Sequence, residues 1–78
     1  MHSNDNLRPR AARRTRRVDE LIAYHRQREA DCAGEIKRAV EFRDEKLSKQ
    51  AVRTWTEERQ IARDTASYLE TLMSRMEA

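Results

Sequence analysis

The apolar spacing in the second half of the chain constrains the fold most. Between Ala51 and Met76 the residues on one side recur in steps of four and three, a period typical of an amphipathic α-helix and not of a strand. We call such a line of positions along one side of a helix a seam, and this one is the second of two in the chain. Its positions are Ala51, Trp55, Glu58, Ala62, Thr65, Leu69, Leu72 and Met76. We therefore predict a helix over this stretch.

A weaker seam precedes it, and its positions are Val18, Leu21, Ile22, His25, Cys32, Ile36, Ala39, Val40 and Leu47. Its middle is polar, because His25, Glu29 and Cys32 stand where Leu or Ile would be expected. Gly34 also falls inside this seam. We interpret this glycine as either the C-cap of a helix that ends near residue 33 or a point where a partner approaches closely.

The connection between the two seams, residues 43–50, contains neither Gly nor Pro. Ser48 is available there as an N-cap, and a turn would leave two arms of about 28 residues, each about 42 Å long. Arms of equal length favour an antiparallel hairpin. One unbroken helix from about residue 10 to 77 is the alternative, since Glu45 and Lys49 form a favourable i,i+4 pair across the connection.

Composition limits the chain to one all-α domain. It has 78 residues with one Gly, one Pro, 5% aromatic and 40% charged residues, which excludes the turn-rich sandwiches and barrels. The chain has too few large apolar residues to fill a hydrophobic core of its own. We therefore expect a coiled-coil or helical-bundle oligomer, most simply a homodimer. The seam residues predicted to face the second copy are Leu21, Ile22, Ile36, Val40, Leu47, Trp55, Leu69, Leu72 and Met76.

The charge is concentrated in an N-terminal arm. Residues 1–17 hold six Arg and one Asp, a net charge of +5, whereas residues 18–78 hold eleven Lys and Arg against thirteen Asp and Glu, a net charge of −2. We therefore divide the chain into a flexible Arg-rich arm, residues 1–17, and a helical domain, residues 18–78. If the arm becomes helical, Arg10, Arg13, Arg14 and Arg17 fall on one face.

Arginine without lysine in this arm indicates an anionic partner. The planar guanidinium donates two hydrogen bonds to a phosphate or a guanine, and each phosphate contact releases condensed counterions. The predicted nucleic-acid-binding residues are Arg10, Arg13, Arg14, Arg16 and Arg17. An acidic protein surface is the alternative partner for the same side chains.

The run Ala12-Arg-Arg-Thr-Arg-Arg-Val-Asp-Glu-Leu-Ile-Ala23 resembles the arginine-rich RNA-binding peptide of the N-type antitermination proteins of lambdoid phages. The resemblance implies a short helix that clamps an RNA hairpin, with Arg13, Arg14, Arg16 and Arg17 on phosphates and bases. It covers residues 12–23 only. It favours RNA slightly over DNA as the ligand of a regulatory or architectural protein.

Other chemistry finds little support in the sequence. His25, Glu29 and Cys32 have a spacing that could hold a metal, but such polar residues in a seam more commonly fix the register of a coiled coil, so we predict no metal. Trp55 is expected in the core. Without a Gly-rich phosphate loop or paired catalytic side chains, we predict no enzymatic activity, no cofactor and no small-molecule substrate.

The expected location is the cytoplasm. A lone cysteine, Cys32, cannot form an intramolecular disulfide, and no apolar run approaches the roughly 18 residues of a membrane span.

An alternative function is a helical adaptor or inhibitor, encoded by a phage or mobile element, that docks on a larger host protein.

Overall fold

A computed structural model describes the backbone of residues 10–77 and the side chains of residues 17–76. Two helices, α1 (Arg10–Val40) and α2 (Glu45–Glu77), pack against each other as a hairpin, and the described residues contain no strand. The all-α prediction is confirmed, and of its two alternatives the hairpin is the observed one. Neither helix in this part of the chain has the length and apolarity that would let it cross a membrane.

The turn between the helices lies slightly earlier than the sequence suggested. Helix α1 closes with hydrogen bonds from the Glu41 and Phe42 amides to the carbonyls of Arg38 and Ala39, both 3.1 Å. Asp44 caps α2, because its Oδ1 accepts from the amides of Lys46 at 3.0 Å and Leu47 at 3.1 Å.

Ser48 was the wrong choice of N-cap. It lies inside the first turn of α2, and its hydroxyl donates to the Ala39 carbonyl at 2.7 Å. Because this carbonyl belongs to the last turn of α1, the bond satisfies a helix end and joins the two helices beside the turn. Ser48 therefore forms a hydrogen bond between the helices and does not cap α2.

A regular heptad line runs down each helix toward the other. Every described side chain on these two core lines is buried or half-buried. The α1 core line is Val18, Ile22, His25, Glu29, Cys32, Ile36 and Ala39, and the α2 core line is Ser48, Val52, Trp55, Arg59, Ala62, Ala66, Leu69 and Met73. Their alternating steps of three and four are the spacing of an antiparallel coiled coil.

The fully buried residues are all small. Cys32 and Ala66 are 0% exposed, Ala39 1% and Ala62 2%, while the larger side chains on the core lines keep part of their surface in water. Small residues at a helix–helix contact let the two backbones approach closely. A larger side chain at such a position would not fit without moving the helices apart. The hairpin therefore has a tight but thin core.

The α2 core line corrects part of the second seam that the sequence suggested. Trp55, Ala62 and Leu69 belong to both. Glu58, Thr65 and Leu72, which the sequence placed in the seam, lie half-buried on its flank, and Arg59, Ala66 and Met73 take the core positions instead. Arg59 is half-buried, and its Nε is buried with no hydrogen-bond partner.

Three ion pairs between the helices fix their antiparallel alignment. Arg26 Nη2 lies 2.7 Å from Glu70 Oε1, Arg28 Nη2 lies 2.9 Å from Glu58 Oε1, and Arg63 Nε lies 3.0 Å from Glu29 Oε2. The first and second pairs lie on opposite faces of the hairpin, because residues 26 and 28 fall on opposite sides of the α1 core line. Each pair is partly exposed and adds little stability by itself, but together they select one register.

Gly34 lies in the middle of α1, so the helix does not end near residue 33. A Cβ added at this position would meet one atom outside its immediate surroundings, Arg38 Nη2 at 3.8 Å, which is an ordinary van der Waals distance. Within the chain, therefore, no close approach requires a glycine here. Its cost to the helix is the conformational freedom that the unfolded chain loses on folding.

We expect Gly34→Ala to raise the free energy of unfolding by about 1 kcal/mol, the usual difference between Gly and Ala inside a helix. The exposed Ala30, one turn earlier, provides the matched control, since Ala30→Gly should lower it by about the same amount. Urea titrations followed by circular dichroism at one fixed protein concentration measure both. A Gly34→Ala protein less stable than wild type would mean that something outside the hairpin occupies the space beside residue 34.

Candidate nucleic-acid interface

The arginine-rich segment is the first part of α1. Helix α1 begins at Arg10, so the backbone of residues 10–17 is helical and continues into the hairpin. Of the five predicted binding residues, Arg17 has a described side chain, and it is exposed. The side chains of Arg10, Arg13, Arg14 and Arg16, like residues 1–9, lie outside the described set.

The register of α1 keeps arginine off the core line. Continuing the heptad backward from Val18 puts Thr15 and Ala11 at the next core positions, and both are small residues. The binding residues predicted from the sequence all occupy other helical positions, and Arg10, Arg13, Arg14 and Arg17 follow one another at i, i+3, i+4 and i+7. None of the five therefore lies at a core position of the heptad.

The start of α1 lies beside the end of α2. The two helices run antiparallel from one turn and have nearly equal lengths of 31 and 33 residues, so both reach the end of the hairpin opposite the turn. Near this end, Asp19 and Ile22 line a cleft of about 250 Å³ with Glu70, Met73 and Ser74.

Charge at the start of α1 opposes its helix dipole. The first turn holds no acidic residue, although the partly positive N-terminus of a helix favours carboxylates and disfavours cations. Helix α2 shows the ordinary arrangement, with Asp44 as cap and Glu45 in the first turn. An anion bound along residues 10–17 would offset both the dipole and the mutual repulsion of the arginines.

The polar middle of the first seam is occupied by ion pairs. Glu29 accepts from Arg63 Nε and from Arg26 Nη1, both at 3.0 Å, and these hydrogen bonds lower the pKa of its carboxyl group. Cys32 is fully buried. Among the residues whose side chains are described, no group of three His, Cys, Asp or Glu could hold a metal ion.

Trp55 is half-buried and lies beside a shallow groove of about 450 Å³ that Arg28, Asp31, Gly34 and Arg38 also line. Both signs of charge surround the indole there, and Glu35 holds Arg38 at 2.9 Å. A base-stacking surface usually combines several aromatic side chains with basic residues. Trp55 is the one aromatic residue among those that line this groove, so the groove does not have the composition of a base-stacking surface.

The predicted seam residues fall into two groups. Ile22, Ile36, Trp55, Leu69 and Leu72 are half-buried in the hairpin, and all of these except Leu72 lie on the core lines. Leu21, Val40, Leu47 and Met76 remain 41–63% exposed. The hairpin thus uses one group for its own packing and leaves the other available for contacts beyond the chain.

The seam residues predicted to face a second copy did not include the buried Ala66, nor Tyr24, Ile61 and Tyr68, which are 59–67% exposed. Tyr24 packs edge-on against His25 with ring centroids 5.0 Å apart, and its outer surface stays in water. A strict heptad count that accepted Arg59 as a core residue would have placed Ala66 on the core line of α2 and Ile61 and Tyr68 off it. Comparison with protein-family models, curated proteins and solved structures gave no match for the chain.

Proposed function

We propose that this chain is a small nucleic-acid-binding protein with a regulatory or architectural role. Arg10, Arg13, Arg14, Arg16 and Arg17 would neutralise phosphates along the start of α1, and the hairpin would orient that segment as part of a homodimer. RNA is slightly preferred over DNA, because of the resemblance of residues 12–23 to a hairpin-binding peptide.

One observation carries the proposal: a helix that begins with arginines, has no acidic residue in its first turn and keeps all five arginines off its core line. Such a helix start is electrostatically unfavourable by itself, and a polyanion relieves it. None of the five occupies a core position of the heptad, and the segment lies at the end of the hairpin opposite the turn. This is where the nucleic acid would bind.

The test is a binding titration of the full chain with three labelled ligands of equal charge: an RNA hairpin, an RNA duplex and a DNA duplex. At low and matched salt we expect all three to bind and the RNA hairpin to bind most tightly. Equal affinity for the three ligands would remove the RNA preference and leave nucleic-acid binding in place. No binding to any of them would overturn the proposal and assign the arm to an acidic protein.

A further inference from the structure

The two broad faces of the hairpin differ in character. The face that contains the Arg28–Glu58 pair, here the apolar face, carries six large apolar side chains at its helical positions: Leu21, Tyr24, Leu47, Ile61, Tyr68 and Leu72. The opposite face, here the polar face, contains the Arg26–Glu70 pair and a single large apolar residue, Val40. Five of the six residues on the apolar face are 47–67% exposed.

The hairpin is one layer thick. Its shortest dimension is 12 Å, about the diameter of a single helix with its side chains. A stable domain needs at least two packed layers around a core, and the fully buried residues of this hairpin are four small side chains. A second layer is therefore missing, and the apolar face is where it would pack.

The exposed area on this face exceeds what a monomer usually leaves in water. Tyr24 and Tyr68 are 60% and 67% exposed, which leaves about 250 Å² of aromatic surface uncovered between them, before Leu21, Leu47 and Ile61 are added. Two helices about 45–50 Å long, side by side, offer a face of about 1,000 Å². A standard protein interface covers about 800 Å² on each partner.

Charge decides between the two faces as the site of a second copy. On the apolar face, Arg17, Arg28, Arg38 and Arg75 are nearly balanced by Asp31, Glu35 and Glu58. Among the described residues, the polar face has six basic and two acidic side chains: Arg26, Lys37, Lys46, Lys49, Arg53 and Arg63, with Asp19 and Glu70. In a two-fold dimer each face meets itself, so the polar face would repel its copy while the apolar face would not.

We infer that the apolar face is the interface of a homodimer in which two hairpins form a four-helix bundle. This specifies the dimer of the proposed function, but it depends only on packing and holds whether or not the arginines bind nucleic acid. Leu21, Tyr24, Ile61 and Tyr68 lie in the interface, and the core lines stay inside each hairpin. The polar faces remain in water on the outside of the bundle.

Ile61 and Val40 provide a matched pair for the test. Both are β-branched aliphatic residues, 59% and 63% exposed, on opposite faces. We expect Ile61→Lys to raise the dimer dissociation constant by about 100-fold, because a two-fold interface contains the substitution twice, and Val40→Lys to leave it within a few fold. Sedimentation equilibrium without nucleic acid measures the mass of each protein between about 1 and 100 μM.

Wild-type protein at twice the 9.3 kDa chain mass, together with a melting temperature that rises with protein concentration, supports the inference. Those two wild-type measurements establish the dimer even if Ile61→Lys also loses helix, and Val40→Lys then tests whether the polar face forms it. A fully helical wild-type monomer across the concentration range would overturn it. So would dissociation by Val40→Lys to the same extent as by Ile61→Lys, since the interface would then lie elsewhere.

Discussion

Replacing Arg13, Arg14 and Arg17 together by Ala is expected to weaken nucleic-acid binding by about 100-fold at low salt, taking at least about 1 kcal/mol for each charged hydrogen bond to phosphate that is removed. The slope of log K against log salt should fall by about two to three, because three fewer phosphates are neutralised. Helix content should stay unchanged, since none of the three lies on a core line. Fluorescence anisotropy at several salt concentrations gives both values.

A control for net charge is available on the body of the hairpin. Lys37, Lys46 and Arg53 are exposed and lie in the half of the hairpin that holds the turn, away from residues 10–17. Their triple replacement by Ala removes the same charge but should reduce affinity only a few fold, through screened long-range attraction. Equal losses in the two triple variants would mean that overall charge, and not the start of α1, determines binding.

Enlarging the buried Ala66 should give the largest loss of stability. Ala66 is 0% exposed on the α2 core line, so Ala66→Leu forces three extra carbons between two closely packed helices. We expect a decrease of about 1–3 kcal/mol in the free energy of unfolding, measured by urea titration at fixed protein concentration. Because the buried core of this chain is small, such a decrease is a large share of its total free energy of unfolding.

Ala23→Leu is the matched control, because Ala23 is exposed on the outer surface of α1 and the added side chain would extend into water. Its effect should stay within about 0.5 kcal/mol. If Ala66→Leu is as stable as wild type, the helices do not approach closely at that point and the hairpin does not have a small-residue core.

Periodicity was sufficient to predict the two helices, because steps of three and four persist through most of the chain. It did not identify the turn. Asp44 and Ser48 are comparable N-caps by propensity, and no Gly or Pro marks residues 41–44. The bond from Ser48 to the Ala39 carbonyl forms only when the helices already lie side by side, so tertiary structure decides between the two caps.

The core line of α2 was ambiguous for a related reason. Glu58 and Arg59 are adjacent and equally polar, so the sequence offered two seams one residue apart, and both contain Trp55, Ala62 and Leu69. The choice depends on which flank faces α1. In the structure Glu58 pairs with Arg28 across the flank and Arg59 takes the core position, which turns Ala66 inward and leaves Ile61 and Tyr68 on the apolar face.

The arginine segment was visible in the sequence as charge and spacing. Its relation to the hairpin was not, because that relation depends on where α1 begins and on which residues of α1 are level with the end of α2. Two small core positions, Ala11 and Thr15, precede Val18 in the register. This register places the arginines at positions other than the core line.

Salt dependence of wild-type binding to an RNA hairpin tests the central claim most directly. If the five arginines contact about four or five phosphates, log K should fall linearly with log salt with a slope of about −3 to −4, at roughly 0.7–0.9 per contact. Binding whose slope is near zero, or no binding at low salt, would contradict phosphate neutralisation by the start of α1.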